Sequence, residues 1–417
     1  MNMALRDPAR YPSAGLQGDA GDCPMNESRS GRKKLPSRRE VLITIGALAV
    51  AACGDQAPNA APAATGGTDA VDGNGQTGDS ATASRTDAGK ADAAAAGEVD
   101  VGAKPAADAA SIDAAAAQGI VNQALPTPAV TSNEKHYITS CCGTPAYDAL
   151  TYKLQILDAG KPVTAFTLAE LEAISALDRE HTLVCIGTSP WGQAIGNAVW
   201  TGLPLAKLLE TRGLTVPKLP FIKISAFDGY TTGLPASDVS KPLWVVWRMN
   251  GQPLPAEHGF PVRLLVPGRY GMKNPKWMTA IDFVDAAYAG YWETKGWSDP
   301  APYKPNTFIK YPTDESILKL GKTRVQGTAY AGSDPITKVD VRVDGGAWQA
   351  AVFDYNKGAD IWALWHFDVA LAVGKHKVQA RCTTTSGLMS SDKPEGSAPG
   401  DGAGYDGSME VEFEVQA

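Results

Sequence analysis

What this chain lacks narrows its chemistry before anything present is read. None of its 6 cysteines falls in a repeated CxxC pair, so a zinc ribbon or a ferredoxin-type cluster is excluded. Its 5 histidines show no HExxH spacing, and no CxxCH run is there to attach a haem. Without a GxGxxG loop or a Walker motif, a nicotinamide or nucleoside-triphosphate site has no support. Positive charge is short as well. The 38 Lys and Arg against 45 Asp and Glu leave a net −7, which argues against a nucleic-acid binder. Aromatic residues are scarce early: nearly all of a set that includes 10 Trp lies after residue 137. The fold must therefore occupy the back two thirds of the 417 residues, which is room for two domains of ordinary size.

The first third reads as an address and a tether. Arg32-Lys33-Lys34-Leu35-Pro36-Ser37-Arg38-Arg39 precedes an apolar run from Val41 to Ala52, too short for an ordinary membrane span but typical of a signal peptide. Ser37-Arg38-Arg39-Glu40-Val41-Leu42 resembles a twin-arginine signal, which exports proteins already folded around a cofactor. Starting at Met25 would give that signal a more typical basic region. Val50-Ala51-Ala52-Cys53-Gly54 resembles a lipoprotein processing box, so residues 1–53 are expected to be removed or trimmed to a lipidated Cys53. The alternative is plain cleavage near Ala52. Either way the destination is extracytoplasmic, with a membrane attachment if Cys53 carries lipid. Residues 54–130 are Ala, Asp, Gly, Thr and Ser, too poor in large apolar side chains to offset the entropy of ordering. They are expected to be a disordered linker with a mean reach of about 50 Å, its Ala-rich patches at most transiently helical.

Structure signals begin near His136 and define a region expected over 131–310. Leu150–Leu157 alternates like a strand, and Leu168-Ala169-Glu170-Leu171-Glu172-Ala173-Ile174 spaces its apolar residues like a short helix capped at Thr167. His181–Ile186, Phe221–Ala226, Leu243–Met249 and Val262–Val266 read as strands, and Pro204–Gly213 as a helix closed by its glycine. Short strands with scattered helices predict a mixed α+β domain.

Three blocks carry a resemblance. They are Leu183-Val184-Cys185-Ile186-Gly187 with Ala194–Gly202, then Met249–Arg263, then Pro267-Gly268-Arg269-Tyr270-Gly271-Met272-Lys273-Asn274-Pro275-Lys276-Trp277. In this order, and covering most of 135–295, they resemble the sulfite oxidase family of molybdopterin-dependent oxidoreductases. The resemblance implies a molybdenum–pyranopterin cofactor with Cys185 as the metal's thiolate ligand; a soft, strongly donating thiolate suits a high-valent molybdenum centre. Taken alone, Cys185 would more often be a buried structural cysteine. It further implies contacts to the pterin or its phosphate from His136, Asp228, His258, Arg263, Lys273 and Lys276, and places Tyr230 near the metal's exchangeable oxygen. Arg263 offers a fork of donors and a lysine a point charge, both suited to phosphate. Singly, Arg263 could be a surface ion pair, either histidine a satisfied loop residue, and Tyr230 a structural aromatic.

The departures bear on substrate. Where sulfite oxidases place arginines beside the metal, this chain has Glu134 and Thr188-Ser189-Pro190. Losing them removes the charge that seats a small dianion, so sulfite is not the expected substrate. Arg248, Arg269 or Lys273 could compensate.

From 311 to 417 the segments Val325–Tyr330, Ile336–Val343, Trp348–Val352, Ile361–Phe367 and Lys375–Arg381 alternate apolar and polar residues between Gly-bearing turns. That pattern predicts an immunoglobulin-like β-sandwich. Val339–Trp348 resembles the molybdenum-oxidoreductase dimerisation domain, which implies pairing of two subunits, against a monomeric appended sandwich. Cys382 reads as a strand residue without chemistry. The expected whole is an exported oxidoreductase transferring an oxygen atom to or from a small molecule and exchanging electrons with a separate carrier such as a c-type cytochrome. The competing expectation is a binding lipoprotein that kept the fold without the metal.

Overall fold

The structure, a computed structural model, describes residues 106–391 and 407–417, apart from 142, 147, 189–191, 193 and 238–241. The twin-arginine segment, Cys53, most of the expected linker, Cys142, Ser189 and Pro190 lie outside the described residues. No described helix is long and apolar enough to cross a membrane.

The expected linker ends earlier than its composition suggests. Ala106–Ala117 forms a helix, α1, and Ile120–Asn122 a short strand, β1. Alanine is the best helix former, and here tertiary contact makes the helix worthwhile: Ala115 is fully buried. Asn122 Nδ2 donates to Lys319 O at 2.8 Å and to Thr323 Oγ1 at 3.1 Å, fixing β1 alongside the C-terminal region.

The next ten strands form two five-stranded sheets. They run β2 (Lys153–Asp158), β3 (Lys161–Thr167), β4 (Leu177–Val184), β5 (Ile195–Pro204), β6 (Phe221–Ala226), β7 (Thr231–Pro235), β8 (Trp244–Met249), β9 (Gln252–Pro253), β10 (Arg263–Leu265) and β11 (Met278–Val284). One sheet has the order β3-β2-β11-β6-β7, with only β2 and β11 parallel; the other is antiparallel, β10-β8-β5-β4, with β9 on β8. Two six-residue helices, α2 (Leu168–Ala173) and α3 (Leu205–Glu210), are all the α-helix among the described residues of this stretch, so the mixed α+β expectation is corrected to a mostly β domain. α2 starts where a capping box predicts it: Glu170 N–H donates to Thr167 Oγ1 while the Glu170 carboxylate accepts from the Thr167 N–H.

The period of two along β8 positions the site. Val245 and Trp247 enter the core shared by the two sheets, together with Ile156, Ile224 and Leu264. Trp244 and Val246 face the other way and join Leu183, Trp200 and Leu265. It is on this second face that the functional side chains gather.

Ten further strands follow: β12 (Asn306–Tyr311), β13 (Ser316–Lys319), β14 (Lys322–Tyr330), β15 (Ile336–Val343), β16 (Gln349–Ala350), β17 (Val352–Tyr355), β18 (Ala363–Ala370), β19 (Gly374–Thr384), β20 (Gly407–Ser408) and β21 (Glu410–Gln416). They make the sheets β17-β18-β14-β12-β20 and β13-β21-β19-β15-β16. Val325, Ala363 and Trp365 from one meet Val341, Ala380 and Val411 from the other in a single core. Cys382 is buried in β19 within that core. Contacts to the first region are polar as well as apolar: Tyr330 Oη donates to Thr182 O at 3.0 Å, and Arg179 pairs with Asp360 at 2.5 Å.

Candidate active site

Cys185 is the first residue past β4. Its N–H donates to Ala194 O at 3.0 Å, and its carbonyl accepts from Thr188 N–H at 3.0 Å, so the backbone leaves the sheet edge in a tight loop. The side chain is one wall of a cavity of about 940 Å³, open mouth included. Burial pushes the Cys185 thiol up, while the Gly187 backbone and the Thr139 hydroxyl hydrogen-bond to it and oppose the shift. The free thiol is therefore protonated, and a bound cation would be needed to hold it as thiolate.

A basic cluster lines the same cavity. His258 follows Pro255 in a short 3₁₀ turn, and Arg263 opens β10. Gly259, at φ +113, makes their approach workable: a Cβ there would lie 3.1 Å from the Cβ atoms of both Arg263 and Lys276. Arg263 Nη1 donates to His258 O at 3.0 Å and Nη2 to Asn274 O at 3.2 Å, while its guanidinium sits 4.9 Å from the Trp200 ring centroid. Its Nε has no partner, and no carboxylate among the described residues pairs with it, although the side chain is buried. Burial pulls its pKa down to about 10. Asn274 is itself locked by bonds from its amide to Arg269 O and Tyr270 O and from Val266 N–H to its Oδ1.

Lys276 Nζ donates to Glu257 O at 2.8 Å and lies 4.1 Å from the Trp277 ring; burial and Arg263 pull its pKa down to about 7. His136 is wedged between Tyr137, Trp200 and His258, with ring centroids 5.2, 5.8 and 5.4 Å away. Its Nδ1 is 3.2 Å from Tyr137 O, its Nε2 is buried without a partner of good geometry, and burial drives its pKa to about 3. Only glycine fits at 196, where a Cβ would fall 2.6 Å from this ring. His258 Nε2 lies 2.7 Å from Asn133 O, and burial lowers its pKa also.

Asp228 and Tyr230 close another side. Asp228 Oδ1 accepts from Tyr230 N–H at 3.1 Å, its Oδ2 lies 3.9 Å from Cys141 Sγ, and burial raises its pKa. The Tyr230 phenol lines the cavity, but its proton is committed to Met272 O at 2.5 Å. What it has to offer a ligand is an acceptor lone pair.

Thus His136, Cys185, Asp228, Tyr230, His258, Arg263 and Lys276 all line one cavity. Lys273 does not. Its ammonium is fully buried and donates to Gly233 O at 2.8 Å, to Asp299 at 2.8 Å and to Glu293, and it is absent from the cavity wall, so the cofactor-contact expectation for it is corrected. Arg248 and Arg269 do not line the cavity either. Sequence reading passed over Thr139, Asn274, Trp292 and Trp297. The aromatic density from Tyr288 to Trp297, beyond the last strand of the sheets, was the available signal.

Residues 142–292 match the family model described as the oxidoreductase molybdopterin binding domain, and 302–389 the one described as the Mo-co oxidoreductase dimerisation domain. Mitochondrial sulfite oxidase of Homo sapiens is 26% identical over 301 residues, covering 61% of this chain and 55% of that protein. An NADPH nitrate reductase of Phytophthora infestans is 26% identical over 305 residues, 58% of this chain and 34% of its own. This chain spans about half the length of the sulfite oxidases it matches. In structure it is similar to the sulfane dehydrogenase SoxCD from Paracoccus pantotrophus, with a TM-score of 0.58 at 18% identity, over 78% of this chain and 96% of that one.

Proposed function

We propose that this chain, which matches the molybdopterin binding domain over 142–292 and the Mo-co dimerisation domain over 302–389, is an oxidoreductase that transfers an oxygen atom to or from a small substrate at a molybdenum–pyranopterin ligated by Cys185. One observation carries the reading: Arg263 is buried beside Trp200 with two carbonyl partners, an idle Nε and no acid among the described residues. Burying an uncompensated guanidinium costs several kcal/mol, which an anionic ligand would offset. The phosphate of a pyranopterin is such an anion, and the donors around the cavity fit it. Arg263 and Lys276 would hold the phosphate. His136, held neutral by burial, and His258 would meet the ring system. Asp228, whose pKa burial raises, would face its donors.

The bound metal would supply two-electron oxygen-atom chemistry, which no side chain here can. The protein's own tasks are narrower. Thr139 and the Gly187 backbone hydrogen-bond the Cys185 sulfur and fix its direction. Tyr230, anchored on Met272 O, can accept a hydrogen bond from substrate or water but keeps its own proton, since its pKa stands well above the usual phenol range. Ile186, Met272, Trp292 and Trp297 make this part of the wall apolar, which would limit water beside the reacting centre.

Sulfite is disfavoured. Glu134 is exposed and Thr188 is buried and uncharged, so neither position supplies the cation that would seat a dianion. Electrons would leave or arrive one at a time through a separate carrier such as a c-type cytochrome. The C-terminal sandwich would be of immunoglobulin type and pair two subunits. Twin-arginine export with a lipid at Cys53 would place the enzyme outside the cytoplasm on a membrane. The missing substrate arginines are what favours the metal-free binding-protein alternative, and the uncompensated Arg263 beside Cys185's cavity is what stands against it.

The test is molybdenum per chain by plasma mass spectrometry, on protein expressed with its signal in a host that makes the pterin. About one molybdenum per chain in wild type, lost or strongly reduced in Cys185→Ala, is expected. Well-folded wild type without molybdenum, beside a loaded control enzyme, would sink the reading.

A further inference from the structure

The segment that delivers His136 to the cavity is laid down by side chains. Residues 123–136 form no strand, yet they cross the second sheet on a run of asparagine bonds. Asn197, fully buried in β5, exchanges two bonds with Thr131: Thr131 N–H donates to Asn197 O at 2.7 Å, and Asn197 N–H to Thr131 Oγ1 at 3.2 Å. Asn197 Nδ2 donates to Ala129 O at 2.8 Å. Asn250 reaches the same segment from the β8–β9 turn. Its Oδ1 accepts from Val199 N–H at 2.9 Å, which settles which end of the amide is which. Its Nδ2 donates to Thr131 O at 2.9 Å and to Asn133 Oδ1 at 2.8 Å.

Asn250 does more than its turn requires. At φ +51 it makes a two-residue turn with Gly251, a place where glycine would serve as well. Donation to two oxygens is what the amide adds, since an aspartate would set an acceptor against both.

The segment so held meets a histidine of the cavity. His258 Nε2 lies 2.7 Å from Asn133 O. A carbonyl only accepts, so Nε2 is the nitrogen that carries a proton. Burial, and with it the charges of Arg263 and Lys276, lowers the pKa of His258 and leaves the ring neutral at pH 7, so Nδ1 is a bare lone pair. Unlike His136 Nε2, this Nδ1 is not sealed in the interior, and the cavity is the space that His258 borders.

We propose that Asn250 is a positioning residue: by holding the Asn133 carbonyl against His258 Nε2 it selects one tautomer, so that His258 offers an acceptor, Nδ1, to an N–H or O–H donor of the bound pterin ring. The inference rests on the cofactor reading above and gives one of its contacts a direction. A neutral imidazole can carry its proton on either nitrogen. The opposite tautomer would set an N–H against that donor and leave the Asn133 carbonyl facing a lone pair. A phosphate oxygen, itself an acceptor, is a poor partner for Nδ1, which leaves the phosphate to Arg263 and Lys276.

The test uses the full chain labelled with nitrogen-15 histidine, prepared without cofactor and also loaded in a host that makes it. In cofactor-free wild type the His258 ring signals, assigned by their loss in His258→Phe, should show a protonated Nε2 and an unprotonated Nδ1. Asn250→Gly keeps the turn and removes the bridge. It should move both signals toward a mixed-tautomer average and speed pterin release from loaded protein about tenfold. Asn250→Asp, nearly isosteric, should do the same, which covers a folding defect in either variant. An asparagine with a merely structural role would act independently of His258, so a double-mutant cycle decides. In a His258→Phe background, Asn250→Gly should change pterin release by less than about twofold. An unchanged tautomer in both 250 variants, or additive effects on release, would overturn the positioning role and leave the oxygen-transfer reading standing. Chain that never takes up pterin would overturn the reading beneath it, and the role given to Nδ1 with it.

Discussion

The surroundings of Arg263 and of Lys273 make an informative pair. Both are buried cations, on either side of the same turn, and a sequence reading assigns both to one cofactor. Lys273 is surrounded by Glu293, Asp299 and the Gly233 carbonyl, a full complement for an ammonium. Arg263 has two carbonyls, a tryptophan face and an unused Nε, with no carboxylate among the described residues. A buried cation that the fold itself neutralises is part of the framework; one that it leaves short is waiting for an anion. Burial alone does not separate them, and partner chemistry does.

Substitution should separate the two sharply. Arg263→Met is expected to cost cofactor retention about a hundredfold or more while the cofactor-free protein melts at or above the wild-type temperature, because a poorly compensated buried charge has been removed. Pterin fluorescence of the purified protein together with thermal melting reads both halves; a destabilised cofactor-free variant would break the comparison. Lys273→Met should behave in the opposite sense. It strands the Glu293 carboxylate, whose side chain is 2% exposed, and should lower stability by about 3–5 kcal/mol in denaturant titration with or without cofactor.

Acid should act on buried rings that cannot charge in place. His181 is fully buried with both ring nitrogens unpartnered and its pKa pushed down to about 4 by burial; His136 is held at about 3. Between the ordinary value near 6.5 and these folded values only the unfolded chain takes up the protons. Stability is thus complete above about pH 6.5 and falls as pH drops toward 4, by at most about 1.4 kcal/mol per pH unit for each ring. His181→Leu should flatten that slope measurably in denaturation runs from pH 7.5 to 4.5, and an unchanged slope would remove His181 from the account. The smallest effect belongs to an exposed pair. Arg324 and Asp368 meet through two 2.8 Å bonds at side-chain exposures of 28% and 31%, so Arg324→Ala should cost less than about 1 kcal/mol. A larger loss would mean that solvent exposure, too, fails to rank these pairs.

Much of the site was legible in the sequence because its residues sit in contiguous blocks whose local structure is stiff. Cys185 follows directly on a strand, Gly259 forces the turn between His258 and Arg263, and Lys276 follows Pro275; each is placed by neighbours in the chain. Lys273 was misread because its acid partners lie 20 and 26 residues onward, in a segment with no periodic pattern. Trp292 and Trp297 escaped for the same reason: only the close packing of Gly233 and Gly290 brings them to the cavity. The strand pattern of the C-terminal region was easier, since alternation in Ile336–Val343 fixes a face at once. The helix α1 was missed because Ala-rich composition says nothing about whether a docking surface exists.

The central claim is that the Cys185 sulfur is bonded to molybdenum. X-ray absorption at the molybdenum edge, on wild type and Cys185→Ser protein loaded to comparable levels, counts the sulfur neighbours directly. The account predicts one sulfur fewer in the variant, an oxygen or nitrogen neighbour taking its place. An identical sulfur shell in both proteins would contradict it, and Cys185 would return to being a buried structural thiol.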